Sequence, residues 1–143
     1  MTPVQPTTLP GLLRAIPGDR TAIVLPEANI RVTYASLLRQ VQAVADQLAA
    51  VGVGRGDRVG MALPNGLPTI VCFLAASVAG TAAPLNPAYR EEEFHFYLED
   101  TNARVLIVPP DGAEAARAAA TGRARVLTAG MDAAGVVTIG GVT

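Results

Sequence analysis

Short apolar runs bounded by turn residues alternate with longer segments of helical period through most of this chain, and few folds accommodate such an order. The clearest segment is Tyr34–Val51. There Leu37, Val41, Val44 and Leu48 recur at helical spacing, while Arg39, Gln40, Asp46 and Gln47 fall toward other faces. Thr33 is placed to cap this helix, because its hydroxyl can accept a hydrogen bond from a first-turn N–H; Gly52 can take the left-handed position beyond its end. Arg58–Leu63 then reads as a strand with Val59, Met61 and Leu63 on one face. A helix from about Pro68 to Ala79 follows, with Ile70, Leu74 and Val78 in one stripe beside Val71 and Ala75. Pro68 is tolerated only in its first turn.

Gly80 closes that helix, Thr81–Leu85 is a short buried strand, and Asn86–Arg90 is a loop. Glu91–Leu98 makes a helix whose acidic first turn suits the positive end of its dipole, and Val105–Val108 is a strand stopped by Pro109 and Pro110. Upstream, Leu9–Ala15 can form a short helix ending before Pro17 and Gly18, and Thr21–Leu25 with Ile30–Thr33 reads as a hairpin. The β-α-β-α-β-α-β order predicts an α/β fold, a parallel sheet flanked by helices. Past Pro110, Ala113–Ala120 reads as a surface helix, with strands at Arg125–Leu127 and Val136–Ile139. The chain ends at Thr143 directly after that last strand, which is expected to lack a covering helix, as in an incomplete domain.

Composition removes whole classes of function. With 143 residues, half of them hydrophobic, the chain can enclose one ordinary core. A net charge of -1 without a basic run gives no footprint for nucleic acid or an anionic membrane surface, so neither is expected as a partner. All eleven basic residues are arginines, which removes mechanisms needing a titratable amine or a phosphate-loop ammonium. Cys72 is the only cysteine, so neither an intrachain disulfide nor a cysteine-based zinc site is available, and a reducing cytoplasm is the expected compartment. Met1–Pro10 lacks a signal-peptide pattern, and the longest apolar run, Ile70–Gly80, is too short to span a bilayer.

Each motif that could carry chemistry has a simpler reading. Gly52, Gly54 and Gly56 lie between a helix and a strand, whereas a phosphate loop follows a strand and opens a helix; a helix cap plus a tight turn is expected. His95 has Glu91 and Glu99 four residues away on either side, but no second histidine or cysteine completes a metal set. Phe94, Tyr97 and Leu98 on the same helix describe a core-facing stripe. Cys72 lies in an apolar helix and is expected to be a buried hydrophobe rather than a nucleophile. Ser36 and Ser77 are mid-helix and lack the strained turn of a hydrolase elbow.

The stretch Arg31–Val108 resembles the N-terminal region of adenylate-forming acyl-CoA synthetases, the AMP-dependent synthetase/ligase family. The resemblance rests on an ordered set: Thr33-Tyr34 opening a long helix, Gly52-Val53 to Gly56-Asp57-Arg58-Val59, Pro64-Asn65 before an apolar helix, Gly80, and the string TAAPLNPAY. Within that family the run continuing through Phe94, Phe96, Tyr97 and Leu98 is most similar to the oxalate-CoA ligase branch. Ser36 stands where the family usually has the Glu of a capping box, and Pro68 where an acidic first-turn residue is common.

The resemblance implies a carboxylate activated by ATP to an acyl-adenylate and passed to the thiol of CoA, with Mg²⁺ as helper. That chemistry gathers negative charge which cations must neutralise. It needs a Ser/Thr/Gly-rich phosphate loop with a lysine, an acidic ribose-binding residue, and a lysine in a mobile C-terminal domain. This chain holds none of them, so no catalytic, cofactor-binding or metal-binding residue is assigned within it. Residues 1–143 are expected to form part of the large N-terminal domain, a scaffold whose partner is the remainder of the enzyme and which, alone, exposes a sheet edge and helix faces. Two alternatives stay open: a stand-alone module binding a nucleotide or small ligand, and one subunit of a split ligase.

Overall fold

The computed structural model describes residues 5–141. Thr143 and the first four residues of the Met1–Pro10 segment lie outside the described residues. Five strands form one sheet in the order β4-β3-β5-β6-β7: β3 (Arg58–Met61), β4 (Thr81–Pro84), β5 (Val105–Val108), β6 (Arg125–Met131) and β7 (Val137–Gly140). A separate antiparallel hairpin joins β1 (Thr21–Leu25) to β2 (Ile30–Thr33). The helices are α1 (Leu9–Arg14), α2 (Tyr34–Ala50), α3 (Leu67–Ala79), α4 (Glu91–Thr101) and α5 (Glu114–Ala120).

β5 shows why the middle of the sheet is continuously apolar. All four of its residues are buried, Val105 and Ile107 toward α2 and α3, Leu106 and Val108 toward α4 and α5. A central parallel strand covered on both faces has no polar side to show. β3, β4, β5 and β6 run parallel, as the alternating order requires.

The last strand departs from expectation. β7 pairs antiparallel with β6 through Met131–Val137, so the sheet is mixed, and β6 runs to Met131 rather than ending at Leu127. Asp132 drives the reversal: one carboxylate oxygen accepts the N–H groups of Ala134 and Val136, at 2.9 and 3.0 Å, and Gly135 supplies a φ of +79°. β7 is also not bare, since Val137 is buried in the same core as α2.

α2 ends in a Schellman motif. Val53 N–H donates to Leu48 O at 3.0 Å and Gly52 N–H to Ala49 O at 3.0 Å, with Gly52 at φ +98°. Its start is capped as expected, Ser36 N–H donating to Thr33 Oγ1 at 3.1 Å. α3 accommodates Pro68 in its first turn. Its buried residues, however, are Leu67, Val71, Cys72, Ala75 and Ala76; of the predicted stripe, Ile70 and Val78 are exposed and Leu74 is only half-buried. The small side chains of Ala75, Ala76 and Cys72 let α3 lie close to α2, and that contact, not hydrophobic bulk, chose the inner face.

Candidate functional site

In open α/β sheets, ligands bind beyond the carboxyl ends of the strands, where strand order reverses. Here the reversal falls between β3 and β5: the chain steps from β3 outward to β4, then crosses back to β5 on β3's other side. α3 and α4 accordingly pack on opposite faces of the sheet. The segments converging at this end are Pro64-Asn65-Gly66 after β3, Leu85-Asn86-Pro87 after β4, and Pro109-Pro110-Asp111 after β5.

Two of the three helices that open at this end are poorly made for an anion, while α3 opens at Gly66 with neither an acidic first turn nor a side-chain cap. α4 places Glu91, Glu92 and Glu93 in its first turn and α5 places Glu114, so the positive dipole ends already face carboxylates. The loop after β5 is closed by Arg117, whose Nε donates to Gly112 O at 2.8 Å and whose Nη2 donates to Pro109 O at 2.7 Å and Pro110 O at 3.1 Å. That guanidinium is committed to backbone carbonyls.

The Gly-rich loop lies at the opposite end of the sheet, ahead of β3. Gly54 N–H donates to Asp57 Oδ2 at 2.8 Å and Asp57 N–H returns to Gly54 O at 3.0 Å, while Gly56 supplies a φ of +88°. The Gly54 and Asp57 amides therefore serve the turn, and Asp57 O accepts Thr81 N–H at 2.8 Å to start the β3–β4 ladder. Arg104, ahead of β5, stands 4.0 Å from Asp57 in a solvent-exposed pair that adds little.

The other candidates are dispersed. His95 is exposed on α4, and its carbonyl accepts a hydrogen bond from Arg123 at 3.2 Å. Among the described residues no group of three His, Cys, Asp or Glu is placed to hold a metal. Phe94 and Leu98 are buried and Tyr97 is half-buried, stacked on Tyr89 with ring centroids 5.1 Å apart. Ser77 Oγ donates back to Phe73 O at 2.8 Å, a local helix bond. Gln40, read as outward-facing, is instead the buried polar side chain among the described residues. Its Nε2 donates to Gly135 O at 3.0 Å and its Oε1 accepts Val137 N–H at 2.9 Å. Its position three residues past Leu37 and four before Val44 is the signal that could have placed it inside.

Cys72 is fully buried, and burial pushes its thiol up to about 12 from an ordinary 9.0. In the folded chain it should resist thiol reagents at pH 8 and react in urea. The sign follows from linkage: between pH 9 and 12 the unfolded chain releases a proton that the folded chain retains, so stability falls as pH rises through that window. Labelling of the native chain as fast as in urea would contradict this burial.

The "AMP-binding enzyme" family model matches residues 14–139. The chain belongs to the AMP-binding enzyme family. It is 47% identical over 118 residues to the "Probable CoA ligase CCL9" of Humulus lupulus, covering 80% of this chain and 22% of that protein. An oxalate-CoA ligase of Arabidopsis thaliana is 36% identical over 119 residues, covering 80% and 23%. Among solved structures, the N-terminal domain of FACL13 from Mycobacterium tuberculosis superposes with a TM-score of 0.72 at 28% identity, covering 78% of this chain and 30% of that one. The chain thus spans about a fifth of the length of these curated relatives. No helix among the described residues is long and apolar enough to cross a membrane.

Proposed function

We propose that this chain is the N-terminal part, residues 1–143, of the large domain of an ATP-dependent acid–thiol ligase. The whole enzyme would convert a carboxylate to an acyl-adenylate with ATP and Mg²⁺, then to an acyl-CoA. The family match over residues 14–139 carries this reading. Oxalate is the substrate proposed within the family, on the similarity to the Arabidopsis thaliana ligase; the cytoplasm is the compartment proposed.

This segment's own work is scaffolding. It has no lysine to meet charge developing on an α-phosphate. The carboxyl ends of its strands carry prolines, asparagines and acidic helix starts, and its Gly-rich loop is spent on a turn. Catalytic, cofactor-binding and metal-binding groups are assigned to the remainder of the enzyme.

The test has two parts. Pyrophosphate exchange into ATP by the purified chain with oxalate and other short acids should stay at background, and so should titration with AMP or CoA. Reading the gene past the codon for Thr143 should reveal a Ser/Thr/Gly-rich loop bearing a lysine. Saturable AMP binding by the chain alone would replace this reading with a binding module, and an authentic stop codon together with a lysine-bearing partner would replace it with a split enzyme.

A further inference from the structure

α3 is uncharged on every side, and its two hydroxyls, Thr69 and Ser77, are turned back onto the carbonyls of Pro64 and Phe73. Its sequence, LPTIVCFLAASVA, contains no charged residue, a composition typical of helices buried all round. Only one side is covered. Ile70, Phe73 and Val78 remain 40%, 40% and 38% exposed. The other long helices look different: α2 turns Arg39, Gln42 and Asp46 outward, and α4, although it exposes Phe96, sets it among Glu92, His95 and Glu99. α1 extends the apolar strip with Leu9 and Leu12, both exposed, and Leu9 shares with Ser77 and Val78 a depression of about 420 Å³.

We propose that this strip, Ile70, Phe73 and Val78 of α3 with Leu9 and Leu12 of α1, is the surface on which the remaining polypeptide of a full-length AMP-binding ligase packs. The proposal rests on reading the chain as part of such an enzyme. Two observations name the occupant. The aligned region makes up only 22% and 23% of the two relatives, so in each it adjoins a polypeptide several times its size. The strip itself is neutral, with Arg14 at its border, so it has neither the basic cluster that draws anionic lipid nor acidic groups for a basic partner. What fits it is another apolar protein surface.

Cys72 is buried and is the sole cysteine, so Phe73→Cys can be read by maleimide labelling and peptide mass spectrometry with little background. The substitution is placed in two proteins. One is the chain itself at sub-micromolar concentration; the other is a chimera in which it replaces the matched 118 residues of the Humulus lupulus ligase. Labelling at position 73 should be slower by roughly tenfold or more in the chimera, while a Glu92→Cys control on α4, across the sheet from the strip, labels alike in both. Phe73→Glu should lower the melting temperature of the chimera by roughly 5 °C or more and that of the chain by under about 2 °C.

Equal labelling of position 73 in both proteins overturns the proposal. So does a chimera that fails to fold while the chain folds, because the strip has then been refused by the partner assigned to it. Protection within a discrete dimer of the chain gives the strip to a second copy and also overturns it. Acyl-adenylate formation by the chimera tests the enzymatic reading separately: protection without activity supports the docking surface and removes that reading, and activity without protection does the reverse.

Discussion

Gly80→Ala is expected to lower the melting temperature of the chain by roughly 10 °C, from a cost of about 3 kcal/mol at about 2–4 °C per kcal/mol for this size. Gly80 ends α3 with φ −162°, an extended value open to any residue, so the requirement for glycine is one of space. A Cβ there would stand 2.6 Å from Asp57 O and 3.0 Å from both Gly54 O and Val53 Cγ1. Neither oxygen can move aside by side-chain rotation. Asp57 O holds the Thr81 N–H that opens the β3–β4 ladder, and Gly54 O holds the turn closed against Asp57 N–H. Relief must come from separating β3 from β4 or opening the Gly-rich loop.

Gly56→Ala is the matched control. It lies in the same loop at φ +88° with nothing within 4 Å of the added methyl, so it should cost only the backbone term, about 1 kcal/mol. Thermal unfolding followed by circular dichroism decides the matter. A Gly80→Ala loss no larger than that of Gly56→Ala would show that the crowding around Gly80 relaxes without cost. The glycines here thus guard a junction of backbone segments rather than a phosphate.

Much of the fold is legible in the sequence because its signals are local. The alternation of apolar runs sets the α/β order, Thr33 and Gly52 mark the ends of α2, and the buried run Val105–Val108 marks a strand covered on both faces. What period cannot tell is which side of an apolar element meets its neighbour. α3 has two apolar stripes, and the one lined by alanines and Cys72 went inside because close approach to α2 favours small side chains. The β6–β7 reversal was hidden for a different reason: its signal is a single Asx turn at Asp132 with Gly135 behind it, inside an alanine- and glycine-rich stretch of low contrast. For the site, residue chemistry offered no signal, since Pro64, Asn65, Asn86 and Pro109 at the strand ends shape backbone rather than transfer protons.

Gln40→Ala should destabilise the chain by about 3 kcal/mol, and Gln40→Glu should do so in a pH-dependent way that a packing defect would not copy. The Gln40 amide spans Val136, giving a donor to Gly135 O and an acceptor to Val137 N–H, much as a neighbouring strand would. Truncation leaves a buried carbonyl and a buried N–H without partners, in addition to the lost packing of α2 on β7. Gly135 cannot retreat to find others, because its Cα already faces Ile30 of β2, where an added Cβ would stand 2.7 Å from Cγ2. A glutamate at position 40 can accept from Val137 N–H, but only its protonated form can donate to Gly135 O. Its folded pKa should therefore lie above the unfolded value of about 4.3. By linkage, the stability of Gln40→Glu should approach wild type below that pH and be lost as pH rises through the elevated folded pKa, leaving the deficit fully developed at pH 8. Urea unfolding at about pH 4 and at about pH 8 measures both arms. A deficit that is the same at the two pH values would mean that Gln40 acts by filling space, and that the bridge between α2 and β7 is not what holds the last strand in place.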